Sequence, residues 1–171
     1  MKKITLVSAL FAAAALWSAD PVPLMEVPAS ASWCWSRPEL LENFAFTNSD
    51  NVARVEIKKT GDGAPAYQLY FTLPKKLGEG RYRAEFTAKA SQVVQCMARC
   101  SIGEAPWTAF AAVGMDLLKP DTEKKIVIPF TISPKVATQP QRIPFLAIGA
   151  LKAGTVLEIR NVKIFEVKSE E

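Results

Sequence analysis

From Arg81 to Ser91 the chain alternates without a break. Tyr82, Ala84, Phe86, Ala88 and Ala90 are apolar, while Arg81, Arg83, Glu85, Thr87 and Lys89 are polar or charged. A period of two puts one set on each face of an extended strand, whereas a helix would scatter the apolar residues round its circumference. A strand with one apolar face must bury that face against a second layer. Gly78-Glu79-Gly80 supplies the turn ahead of it.

The same rule finds further strands. Val52 to Lys58 turns Ala53, Val55 and Ile57 to one side, and Tyr67 to Leu73 turns Tyr67, Leu69, Phe71 and Leu73 to one side with Gln68, Tyr70 and Thr72 on the other. Val93 to Ile102 points Val94, Cys96, Ala98, Cys100 and Ile102 inward and leaves Gln95, Met97, Arg99 and Ser101 outside. Trp107–Met115, Lys125–Ser133 and Arg142–Ala150 are additional strands, the last two carrying Pro129 and Pro144, which predict edge or bulged segments. In Thr155–Val167 the parity changes between Ile159 and Val162, so one extra residue near Arg160-Asn161, a β-bulge, is needed to restore a common inward face. The expectation is an all-β sandwich of eight or nine antiparallel strands with almost no helix. The one helical signal is the capping-box spacing of Ser36-Arg37-Pro38-Glu39 ahead of Leu40, Leu41 and Phe44.

The N-terminus has another character. Lys2 and Lys3 precede an apolar run from Ile4 to Leu16, followed by small residues and Pro21. This is the pattern of a secretory signal peptide, assigned to residues 1–19 and bacterial in style. The run is shorter than the ~20 residues a membrane span needs, so the chain is expected to be secreted or periplasmic with no span after cleavage. The whole chain has 21 Lys and Arg against 17 Asp and Glu. Cleavage removes two of the lysines, and the remaining balance is too even to mark a nucleic-acid partner. Pro21, Pro23 and Pro28 make residues 20–32 an extended leader. The sandwich domain then covers residues 33–168, with a tail at 169–171.

There is no histidine, which excludes a Ser–His–Asp triad, a Cys–His pair and any imidazole metal site. Glu85, Glu104 and Asp116 are not placed by spacing as a glycosidase-type carboxylate pair, so no catalytic residue is assigned. Neither a cofactor motif nor a clustered-oxygen motif for calcium is present. Cys96 and Cys100 lie four residues apart on one strand, about 13 Å, too far to bridge each other. Cys34 pairs with one of them in an oxidising compartment, or all three are buried thiols acting as small apolar residues.

Certain stretches resemble a known family. Tyr67-Gln68-Leu69-Tyr70-Phe71, the run Leu77-Gly78-Glu79-Gly80-Arg81-Tyr82 through Ala88-Lys89-Ala90, Pro106-Trp107, Ile148-Gly149, Ala153-Gly154-Thr155 and Ile159-Arg160-Asn161-Val162-Lys163-Ile164 are similar to the jelly-roll carbohydrate-binding modules of the family-four and family-nine, CenC-like type. The resemblance covers roughly residues 33–168. It implies a galactose-binding-domain-like jelly roll and a polysaccharide or oligosaccharide partner. One departure is Arg160, where the family often carries an acid.

A sugar site needs flat rings for the C–H faces and paired donors and acceptors for the hydroxyls. Parity places Tyr70 outside the core, with Gln68 on the same face; Arg81, Arg83, Gln95 and Arg99 are the polar candidates on neighbouring strands. Trp33 and Trp35 share a parity, and Trp107 follows a turn. Each Trp is either a stacking ring or core packing. Two functions follow: a secreted, non-catalytic carbohydrate-binding module, or an extracytoplasmic structural or protein-interaction domain with no sugar site. Two or more of these rings displayed on one surface favour the first.

Overall fold

The computed structural model describes residues 22–36, 42–49, 51–60, 67–148 and 151–167. Its strands are β1 (Met25–Val27), β2 (Ser32–Ser36), β3 (Phe44–Ser49), β4 (Val52–Ile57), β5 (Tyr67–Thr72), β6 (Gly80–Ala90), β7 (Val94–Ile102), β8 (Ala109–Leu118), β9 (Lys124–Ile132), β10 (Gln141–Ile148) and β11 (Val156–Glu166). A 3-10 turn at Ala29–Ala31 and a short helix, α1 (Pro134–Ala137), complete the set. None of the described helices is long and apolar enough to cross a membrane.

The strands form two antiparallel sheets. One has the order β3-β4-β11-β6-β9, with β1 added beside β11; the other has the order β2-β5-β10-β7-β8. The core lies between them. Ala84, Phe86 and Ala88 of β6, Val55 and Ile57 of β4, Phe71 of β5, Cys96 and Ala98 of β7 and Phe145 of β10 are all buried there. Phe86 meets Phe145 across the two layers, ring centroids 6.2 Å apart and nearly perpendicular at 84°, the edge-to-face arrangement that aromatic quadrupoles favour. The all-β jelly-roll sandwich is therefore the fold. The parity change in β11 is a bulge: its register against β6 shifts between Arg160 and Lys163, and Asn161 takes a left-handed φ of 56°. Asn tolerates that conformation better than most residues. Arg160, the departure from the family pattern, is held by Glu158 at 2.6 Å and Glu123 at 3.3 Å.

Several expectations need correction. There are more strands than eight or nine, because β1, β2 and β3 lie in segments whose alternation is too short to stand out. Residues 20–32 are not all a leader outside the domain. Leu24 N donates to Ile164 O at 2.8 Å, β1 pairs with β11, and Val27 and Ala29 are buried. Pro129 does sit on an edge strand, β9, but Pro144 sits in β10 at the centre of its sheet. It is accommodated because β10 pairs with β7 at Arg142–Ser101 and again at Phe145–Ala98, with no paired residue at Ile143 or Pro144. The N–H that proline lacks is thus not demanded. The predicted signal peptide and most of the predicted helical segment after Ser36 lie outside the described residues.

The cysteines are thiols. Cys34 on β2 and the cysteines on β7 are separated by β5 and β10, three strand spacings or about 14 Å, well beyond the reach of a disulfide. Burial pushes the thiols of Cys34 and Cys100 up to about 12. At pH 8 roughly one molecule in ten thousand would carry either as thiolate, so the native protein is expected to resist iodoacetamide at pH 8 and to take up label at all three cysteines only after unfolding in urea, counted by intact mass.

Candidate functional site

The inward choice made by Leu69, Phe71, Ile143 and Phe145 leaves their neighbours on the outer face of the second sheet. Register then lines these neighbours up across strands. Trp33 of β2 faces Tyr70 of β5, which faces Pro144 of β10. Alongside, Thr72 faces Arg142 and Arg142 faces Ser101 of β7, while Gln68 faces Leu146. The result is a cavity of about 400 Å³ bounded by Trp33, Gln68, Tyr70, Arg99, Trp107 and Arg142, floored by Ser101, Ala109, Pro144 and Leu146.

Three rings gather round one cation. The Trp33 and Tyr70 rings stack with centroids 4.3 Å apart and an interplanar angle of 19°. The Arg142 guanidinium carbon lies 4.1 Å from the Tyr70 centroid, 4.4 Å from that of Trp107 and 5.9 Å from that of Trp33. A cation over aromatic faces that are partly desolvated is held by about 1–2 kcal/mol per good contact. Tyr70 is only 7% exposed and Arg142 8%, whereas Trp33 is 40% and Trp107 52% exposed. Tyr70 Oη donates to Gln68 Oε1, and Arg142 Nε donates to Ser101 Oγ at 3.2 Å. Burial pushes the Tyr70 phenol above its ordinary range, although Arg142 and Arg99 pull the other way. Burial also pulls Arg142 below its ordinary value.

Trp107 is presented by the short loop between β7 and β8. Gly103 N donates to Pro140 O at 2.7 Å, Trp107 N to Glu104 O at 2.8 Å and Ile102 N to Thr108 O at 3.0 Å. A Cβ at Gly103 would lie 3.3 Å from Pro140 O, so the close approach favours glycine there. Trp107 itself adopts a left-handed φ of 57°, a conformation that costs a bulky L-residue roughly 1 kcal/mol or more.

The sequence-predicted residues divide accordingly. Trp33, Tyr70, Gln68, Arg99 and Trp107 converge on the cavity. Gln95 shares the outer face of β7 but lies four residues from Arg99, about 13 Å along the strand, and does not line it. The backbone of Trp35 pairs with Gln68; its side chain lies outside the described residues. Arg81 and Arg83 must be corrected. They belong to β6, in the opposite sheet, because the connection from Leu73 to Glu79 crosses between layers instead of making a hairpin. That crossing is fixed by Gln141, whose Oε1 accepts from Leu77 N at 3.0 Å and whose Nε2 donates to Val136 O at 2.9 Å. Arg83 instead approaches Glu85 at 2.8 Å, at an angle off that of a hydrogen bond, and lies over Phe165. Arg142, Ser101, Pro144 and Leu146 were not anticipated. The outward parity of Arg142, Pro144 and Leu146 follows from the apolar Ile143, Phe145 and Ala147, and that of Ser101 from Cys100 and Ile102 on β7, but nothing local says that β10 lies between β5 and β7.

No protein-family model matches the chain, and no curated protein matches it. Solved structures do. The N-terminal cellulose-binding domain of Cellulomonas fimi β-1,4-glucanase C aligns with a TM-score of 0.57 and 14% identity, over 82% of this chain and 91% of that one. The second N-terminal cellulose-binding domain of the same enzyme gives 0.58 and 16%, over 89% and 99%. TmCBM61, solved with β-1,4-galactotriose, gives 0.52 and 12%, over 82% and 92%. The chain thus has the jelly-roll fold of the CenC-like carbohydrate-binding modules.

Because Tyr70 is packed between Trp33 and Arg142, Tyr70→Ala is expected to cost stability as a core truncation does, about 2–4 kcal/mol, read as a lower urea midpoint with an unchanged slope.

Proposed function

We propose that this chain is a non-catalytic carbohydrate-binding module that works outside the cytoplasm and takes a polysaccharide or oligosaccharide on the outer face of the β2-β5-β10-β7-β8 sheet. The observation that carries this reading is the pair of half-exposed indoles, Trp33 and Trp107, on one cavity whose lining also holds the hydrogen-bonding side chains of Gln68, Arg99, Ser101 and Arg142. Single exposed apolar residues are ordinary on protein surfaces, but two large rings round a cavity of mixed polar and apolar lining suit a recognition surface. Indole faces stack on the C–H faces of pyranose rings; Gln68, Arg99 and Arg142 offer the donors and acceptors for hydroxyls.

Two further points support it. Trp107 sits in a costly backbone conformation that its loop enforces, and such strain is concentrated at functional positions. The lining also offers rings and hydrogen-bonding groups instead of the carboxylate pair a glycosidase uses, which supports the binding reading. The N-terminal export pattern fits a secreted or periplasmic location.

A glycan array followed by calorimetry on the array's best ligand tests the reading. Trp107→Ala and Trp33→Ala are each expected to weaken binding by about tenfold, ~1.4 kcal/mol, and to lower the melting temperature by a few degrees through the lost contacts with Arg142 and Tyr70 while the protein stays folded at the assay temperature. Unchanged affinity in both variants would move the site elsewhere, and no binding to any glycan would leave the fold to a structural or protein-interaction role.

A further inference from the structure

The cavity carries a charge that a neutral sugar does not require. Two of its lining side chains are arginines, Arg99 and Arg142, and none is acidic. Among the described residues no carboxylate pairs with either. A guanidinium as buried as Arg142 normally has a counter-ion, because taking an unpaired charge out of water is costly. Here the rings of Tyr70 and Trp107 lie against the guanidinium and its Nε is spent on Ser101. The Nη1 and Nη2 edge has no acceptor among the described residues and borders the cavity. Arg99, half-buried, lines the same cavity, its Nε donating to the weak acceptor Met97 Sδ at 3.1 Å.

An arginine held on its faces and anchored at Nε is oriented in advance. Its two terminal nitrogens present parallel N–H bonds, the geometry that matches a carboxylate in bidentate fashion. We infer that the ligand is an acidic saccharide, with a uronate carboxylate seated on the Arg142 Nη edge, Arg99 beside it, and adjoining pyranose faces on Trp33 and Trp107. Neutral residues of the same glycan would fill the rest of the face. The inference rests on the proposed glycan-binding function and names the class of glycan.

The test uses the whole chain against matched probes: polygalacturonate, alginate and glucuronoxylan, the same polymers after carboxyl reduction, and dextran sulfate and heparin. Binding to at least one uronate polymer is expected, falling by about tenfold or more on carboxyl reduction, as loss of a charge-assisted bidentate pair implies, and falling further as NaCl rises. Arg142→Gln and Arg99→Gln should each shrink the difference between the acidic polymer and its reduced form. Arg99, which is less buried, keeps the test valid should the Arg142 variant fold poorly. Equal or tighter binding to the reduced polymers would overturn the acidic class while leaving glycan binding intact. Binding only to the sulfated probes would overturn the uronate assignment. No binding to any probe, charged or neutral, would remove both the inference and the reading on which it rests.

Discussion

The contact between Phe86 and Phe145 is where the two layers of this protein become one body. Each ring lies in the middle of its own strand, and neither strand is an edge of its sheet. Because the rings meet edge to face, both strands must present the same parity toward the interior, and every neighbouring residue inherits its side of the sheet from that choice. A strand's register cannot slip by one without turning its whole apolar set to water. The outward direction of Tyr70, Arg142 and Ser101 is thus a by-product of burying Leu69, Phe71, Ile143 and Phe145, and Cys100 and Ile102 beside Ser101. The placing of these outer-face strand residues needs no separate device; it is what remains when the interior has been filled.

What that remaining face can do is decided by the order of strands. β2, β5 and β10 lie side by side although their residues come from widely separated parts of the chain. Their outward residues therefore form rows: an indole, a phenol and a proline in one, a threonine, an arginine and a serine in the next. Pro144 contributes a flat floor without requiring a ladder bond on its β7 side. Tyr70 serves as the hub, hydrogen bonded to Gln68, stacked on Trp33 and covered by Arg142. Its burial makes it a supporting group for the two exposed indoles more than a contact in its own right.

Much of this was readable in the residues and the reason is local. Alternation in β6 and β7, the phase change at Asn161 and the outward parity of Gln68, Tyr70 and Arg99 are all properties of short windows, and a window of a few residues determines which side a side chain takes. Neighbourhood is not a local property. Arg81 and Arg83 have the same outward parity as Arg99, yet they stand on the other layer because the chain crosses over between Leu73 and Glu79. Arg142 was passed over for the converse reason: its own surroundings look like the start of an ordinary strand, and its importance comes from Tyr70 and Trp107, which are distant in sequence. Short strands without a long alternating run, such as β1 and β3, were likewise found only through their pairing.

The pairing of Met25 with Ile164 has a geometric corollary for how the molecule is mounted. Both ends of the described chain are sewn into the sheet that contains β6 and β11, and Val167 N donates back to Arg81 O there at 2.8 Å. The indoles look out from the opposite layer. A tether that holds the molecule by the described ends, Leu24–Val27 or Val167, therefore grips the layer opposite the ring-lined panel.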